Sequence, residues 1–151
     1  MNDSVQTGRK PVILVVEDQP DERFLAATLL EDTGFTVIEA ETADRALAIL
    51  NDRGDEVSVV FSDVRTPGPI GGFELARIIG VTWPRVRVLL TSGDAGDQPS
   101  DLRVSATFIP KPWRAEDILA WVEQAAGRPT GGTGPAIIGP GGKIISSGLE
   151  T

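Results

Sequence analysis

At 151 residues, with 40% apolar and 24% charged side chains, the chain is long enough for one domain with a real core and has a globular composition. It contains no cysteine, histidine or tyrosine, which excludes cysteine and histidine nucleophiles, zinc or haem sites of ordinary ligands, and a phosphohistidine on this chain. A net charge of -8, from 14 Lys and Arg against 22 Asp and Glu, argues against nucleic acid or an anionic membrane as a direct partner.

Residues 1–10 are polar and show no signal-peptide pattern, and no apolar run is longer than the five residues of Val12-Ile-Leu-Val-Val16. A cytoplasmic protein without a membrane span is therefore expected. That first run suits a strand buried on both faces, as do residues 57–61 and 86–90. Shorter strands are predicted over 35–40 and 107–109, near the sheet edges. Helices are predicted over 20–33 and 72–79, and around Ala43, Ala46, Leu47 and Leu50 and around Ile118, Trp121, Val122 and Ala125, which repeat at helical spacing. Gly34, Gly54 and Gly127 stand where helix C-terminal stops belong. Residues 93–106 should hold a further helix, but Gly96 and Pro99 make it short or irregular. Five strands alternating with helices predict an α/β fold, a parallel sheet covered on both faces.

The domain is expected to run from residue 11 to 127, with net charge near -10, after a flexible stretch over 1–10. Residues 128–151 hold 7 Gly and 3 Pro in 24 positions. This composition reads as a flexible tail; alternatively Ala136-Ile-Ile138 and Lys143-Ile-Ile-Ser146 pair as a hairpin that must dock to persist.

In open parallel sheets the ligand site lies beyond the carboxyl ends of the strands. Glu17 and Asp18 follow the first strand, Asp63 the third, Thr91 and Ser92 the fourth and Lys111 the fifth. Each alone has an ordinary explanation: a solvated loop for Glu17 and Asp18, a turn cap for Asp63, the start of a turn for Thr91, a surface lysine for Lys111. Together they converge on one rim. Three clustered acids need a cation, and without His or Cys the oxygen ligands favour Mg²⁺, or Mn²⁺, over zinc. Such a metal, with Lys111 and the Thr91 hydroxyl, suits phosphoryl transfer to a carboxylate, and Asp63, alone on the central strand, is the expected nucleophile.

The ordered set Val15-Val-Glu-Asp18, Phe61-Ser-Asp-Val-Arg-Thr-Pro-Gly68, Gly72-Phe-Glu-Leu75, Val88-Leu-Leu-Thr-Ser92 and Phe108-Ile-Pro-Lys-Pro112 resembles the receiver domain of two-component response regulators. The resemblance implies a flavodoxin-like, doubly wound five-stranded sheet of order 2-1-3-4-5. It implies Asp63 as phosphoacceptor and Asp18 as a direct Mg²⁺ ligand. Glu17 would act as a ligand mainly through water, with the backbone carbonyl of Arg65 as a further ligand. Thr91 matches the switch hydroxyl, Lys111 the phosphate-binding lysine before a cis proline, and Phe108 the switch aromatic. Here Phe108 stands where the family often has tyrosine, so its rotamer change is purely a packing event. The loop Thr66-Pro-Gly-Pro-Ile-Gly71 lacks the methionines and the acid common in the family, which should alter its stiffness.

The expected function is a single-domain response regulator that takes a phosphoryl group from a sensor histidine kinase or histidine phosphotransfer protein. It would then switch binding to a downstream protein target, as a monomer or weak homodimer. Three alternatives compete. A degenerate receiver would act only as a binding module, but the intact acids, hydroxyl and lysine speak against it. An aspartyl-nucleophile phosphatase needs a second acid two residues after Asp63, where Arg65 stands. A flavodoxin-like cofactor binder needs glycines where Glu17-Asp-Gln-Pro20 stands. Trp83 and Trp121 read as structural, and Trp113 lies close enough to the site to report on it.

Overall fold

The computed structural model describes residues 11–93, 106–127, 136–138 and 144–147. In chain order these form β1 (Val12–Val16), α1 (Pro20–Asp32), β2 (Thr36–Ala40), α2 (Ala43–Arg53) and a 3₁₀ turn (Gly54–Glu56), then β3 (Val57–Asp63), α3 (Gly72–Thr82) and β4 (Arg87–Ser92). After them come β5 (Thr107–Pro110), α4 (Ala115–Gly127), β6 (Ala136–Ile138) and β7 (Ile144–Ser147). The sheet order is β2-β1-β3-β4-β5-β6-β7. The first five strands are parallel and reproduce the order 2-1-3-4-5; β6 adds parallel to β5, and β7 pairs antiparallel with β6. The irregular helix expected over 93–106 falls almost wholly outside the described residues.

The two-residue period of β1 divides the core. Ile13 and Val15 face α1 and α4, packing with Ala26, Leu30, Phe61, Ile118 and Val122. Leu14 and Val16 face α2 and α3, packing with Ala46, Leu50, Leu75 and Ile79. Both faces of the central strands are thus buried, which is why their sequences read as continuous apolar runs.

The helix ends follow local chemistry. Pro20 opens α1 where a missing N–H costs nothing, and Asp21 and Glu22 place acids in its first turn. Its end is closed by Gly34 at φ +105°, with the Gly34 and Phe35 amides donating to the Glu31 and Leu30 carbonyls at 3.0 and 3.1 Å. Thr42 caps α2 by accepting from the Arg45 amide at 3.0 Å. Gly54 follows α2 as expected of a stop, but its φ is -59°, an ordinary helical value. Its glycine has a different cause: a Cβ there would run into the Trp83 ring at Nε1. Gly127 lies within the last turn of α4 rather than beyond it. Trp121 ties α4 to β5 by donating from Nε1 to Thr107 Oγ1 at 3.1 Å.

Candidate functional site

Strands β3 and β4 run two residues further than their apolar runs, to Asp63 and Ser92. The polar residues stay in the ladder because Asp63 pairs with Thr91, and the Val64 amide donates to the Thr91 carbonyl at 2.8 Å. Parallel pairing brings Glu17, Asp18, Asp63, Thr91 and Lys111 to one end of the sheet, and one carboxylate oxygen from each of Glu17, Asp18 and Asp63 lies within 4.8 Å of the others.

Glu17 is the most enclosed acid, at 6% exposure. Its Oε2 accepts from the Gln19 amide at 3.0 Å, and its carbonyl accepts from Arg23 Nη1 at 2.9 Å. Arg23 also donates to Glu39 at 3.0 Å, which anchors the loop after β1 to β2. Burial pushes the Glu17 carboxyl up to about 7; the charge on Asp63 adds to this, while the Gln19 amide and Lys111 oppose it. An enclosed set of crowded carboxylates offering only oxygen donors fits a hard divalent cation.

Lys111 faces this set. Its Nζ lies 2.7 Å from Glu22 Oε1, 3.2 Å from Asp63 Oδ2 and 3.5 Å from Glu17 Oε1. Burial alone would depress the lysine, but the bond to Glu22 and the charges of Asp63 and Glu17 outweigh it and hold the ammonium above its ordinary range. Its backbone is fixed by the Lys111 amide donating to the Ser92 carbonyl at 2.9 Å, and the Lys111–Pro112 bond is cis, as the resemblance implied.

Asp63 Oδ1 accepts from the Arg65 amide at 3.2 Å. The following loop is closed by Thr66 Oγ1 donating to the Ile70 carbonyl at 3.2 Å, with Gly68 at φ +108°. The chain then returns under Asp63, where the Gly72 amide donates to the Val64 carbonyl at 2.7 Å. A Cβ on Gly72 would meet the Asp63 carbonyl at 2.5 Å and Val64 Cα at 2.8 Å.

The Thr91 hydroxyl is buried and, among the described residues, has no hydrogen-bond partner. It borders a cavity of about 20 Å³ together with Glu17, Asp63, Lys111, Phe61 and Trp113. Trp113 meets Phe61 edge-on, with ring centroids 5.8 Å apart. Phe108 is not in this group: it is buried at 2% exposure on the face packed by α2 and α3. A larger cavity of about 810 Å³, beside Trp83 and Arg85, lies at the opposite end of the sheet.

Two contributors carry no signal of their own in the sequence. Glu22 has the position of an ordinary first-turn acid, although its place four residues after Asp18 could flag a return to the rim. Arg23 carries no local signal. Gly72 opens one of the motifs quoted above, but its close contact with the Asp63 backbone has no signature in the sequence.

This arrangement has known counterparts. Residues 13–123 match the model of the response regulator receiver domain. The chain belongs to this family. Receiver domains are signalling domains that accept a phosphoryl group on an aspartate and bind Mg²⁺ at an acidic pocket, and this chain has an acidic cluster of Glu17, Asp18 and Asp63. Among curated proteins the chain is similar to the sensor kinase CckA of Brucella abortus, 32% identical over 74% of this chain and 12% of that protein. It is also similar to the nitrogen assimilation regulatory protein NtrX of Azorhizobium caulinodans, 33% identical over 75% of this chain and 25% of that one. The chain thus spans a quarter or less of these relatives' lengths. Among solved structures, the receiver domain of NtrX from Brucella abortus aligns with TM-score 0.64 at 32% identity, covering 76% of this chain and 98% of that one. The signal receiver domain of an HD domain-containing protein from Pseudomonas fluorescens aligns with TM-score 0.70 at 26% identity, covering 80% and 90%. Among the described residues no helix is long and apolar enough to cross a membrane.

Proposed function

We propose that Asp63 is the phosphoacceptor of this receiver, taking its phosphoryl group from the phosphohistidine of a sensor kinase or histidine phosphotransfer protein in the cytoplasm. The observation that carries this reading is Asp63 Oδ2 held 3.2 Å from Lys111 Nζ, beside the Thr91 hydroxyl, which has no hydrogen-bond partner among the described residues. A carboxylate oxygen of Asp63 attacks phosphorus, the P–N bond breaks, and its electron pair stays with the leaving imidazole. Lys111 then exchanges its contact with Asp63 for one with a phosphoryl oxygen. The Thr91 hydroxyl donates to another, gaining the partner it lacks. Phe108, buried on the next strand, repacks as Thr91 moves, and the altered face binds a downstream protein. Glu17, Asp18, Asp63 and the Arg65 carbonyl would hold Mg²⁺ or Mn²⁺, which when bound supplies positive charge against the phosphoryl oxygens. The protein would work as a monomer or weak homodimer.

The test is intact mass after incubation with acetyl phosphate and Mg²⁺. Wild type should gain one phosphoryl group and Asp63→Asn none. A wild type that gains nothing, and whose tryptophan fluorescence ignores Mg²⁺ with beryllofluoride, would leave only a binding module.

A further inference from the structure

We infer that Glu22 is a latch on Lys111, a positioning residue that restrains phosphorylation of Asp63 until the Glu22–Lys111 ion pair opens. The inference rests on the phosphoacceptor reading above and adds a residue to it. Glu22 Oε1, at 2.7 Å, is nearer to the Lys111 ammonium than either Asp63 at 3.2 Å or Glu17 at 3.5 Å. It is not part of the acid group suited to a cation, which comprises Glu17, Asp18 and Asp63. Among the described residues its one ion-pair partner is Lys111.

An ammonium has three donors, and three carboxylates now face this one. Asp63 and Glu17 sit inside the site, and a phosphoryl group carried on Asp63 can inherit the Asp63 contact directly. Glu22 comes from outside, on the first turn of α1. Its charge lies beside the ammonium that an incoming anionic phosphodonor must reach, so it partly neutralises that ammonium and repels the donor. The Glu22 side chain is half exposed, at 50%, whereas that of Lys111 is 23% exposed. The pair therefore opens at low cost and weakens with salt. An ordinary role for an acid in a first helical turn is to complement the helix dipole, but Asp21 beside it does the same without reaching the site.

The experiment compares wild type, Glu22→Gln and Glu22→Asp. With acetyl phosphate and Mg²⁺ at low salt, Glu22→Gln should acquire the phosphoryl group about three- to fivefold faster than wild type. Glu22→Asp, which keeps the charge at shorter reach, should fall between them, and the advantage of Glu22→Gln should shrink as salt rises. In Mg²⁺-free buffer without phosphodonor, acylation of Lys111, followed by peptide mass spectrometry, should also be faster in Glu22→Gln. A helix-dipole role would move neither the salt dependence nor Lys111 acylation. Equal or slower phosphorylation of Glu22→Gln, beside a wild type that does form the adduct, overturns the latch alone. Unchanged acylation of Lys111 overturns it too. If no protein forms the adduct while Asp63→Asn matches wild type, the phosphoacceptor reading falls and the latch with it.

Discussion

Asp63 and Thr91 are register partners at the ends of neighbouring parallel strands. One is an acid in contact with Lys111 and the other a buried hydroxyl without a hydrogen-bond partner among the described residues. The ladder that aligns them fixes their separation by backbone hydrogen bonds rather than by side-chain contacts. The site therefore inherits the stiffness of the sheet.

The Thr91 hydroxyl is buried and has no hydrogen-bond partner among the described residues, so Thr91→Val removes an unsatisfied group while keeping shape. The unphosphorylated protein should be as stable as wild type or gain up to about 1 kcal/mol in urea unfolding. The phosphorylated protein should lose its distinguishing fluorescence response. A clear loss of stability in Thr91→Val would mean that the hydroxyl is already bonded.

Gly72→Ala places a Cβ against backbone on both sides, 2.5 Å from the Asp63 carbonyl and 2.8 Å from Val64 Cα. Backbone cannot rotate away as a side chain can, so the strand end must shift. We expect destabilisation of about 1–3 kcal/mol and slower phosphorylation of Asp63, read from urea midpoints and adduct formation.

At Gly54 the sign of the effect depends on one ring. With φ at -59° an alanine would ordinarily stabilise the chain by about 0.4–1 kcal/mol through the unfolded state. The overlap with the Trp83 ring reverses this, and Gly54→Ala should destabilise. In a Trp83→Leu background the same substitution should turn neutral or stabilising, a double-mutant cycle measurable by thermal melting.

Stability should also depend on pH through Glu17. Burial raises its carboxyl from 4.5 to about 7 in the folded chain, so between those values the folded state binds more protons than the unfolded one. The associated stability is fully present below the unfolded value and is lost as pH rises through 7. In chelator, unfolding free energy should fall by at most about 3 kcal/mol between about pH 5 and about pH 8. Glu17→Gln should flatten that slope, and an unchanged slope would assign it to other groups.

The strands and the rim acids were legible because burial on two faces leaves a continuous apolar run, and because the residue after such a run is positioned by the sheet. What escaped notice has no local signature. The strand ends at Asp63 and Ser92 are polar yet laddered, which composition reads as loop. Glu22 had an ordinary helical explanation, and only the folded distance to Lys111, 89 residues away, gives it another. Gly54 does stand at the stop of its helix, but what requires a glycine there is the seat it makes for Trp83, a contact between distant segments. Thr91 and Phe108, proposed as the switch pair, were legible as residue types, but not the fact that Thr91 borders the site cavity while Phe108 packs on the other face.

The pairing of β6 with β5 has a consequence for recognition. The sheet, as described, ends in β2 on one side and β7 on the other. The outer backbone of β5 is therefore already paired at Thr107 and Phe108, and a partner that reads the side of the sheet where β5 lies meets the antiparallel β6–β7 ribbon first. Strand addition at Phe108 is closed to it, and whatever a partner senses of Phe108 must reach it through the face of the sheet rather than along its margin.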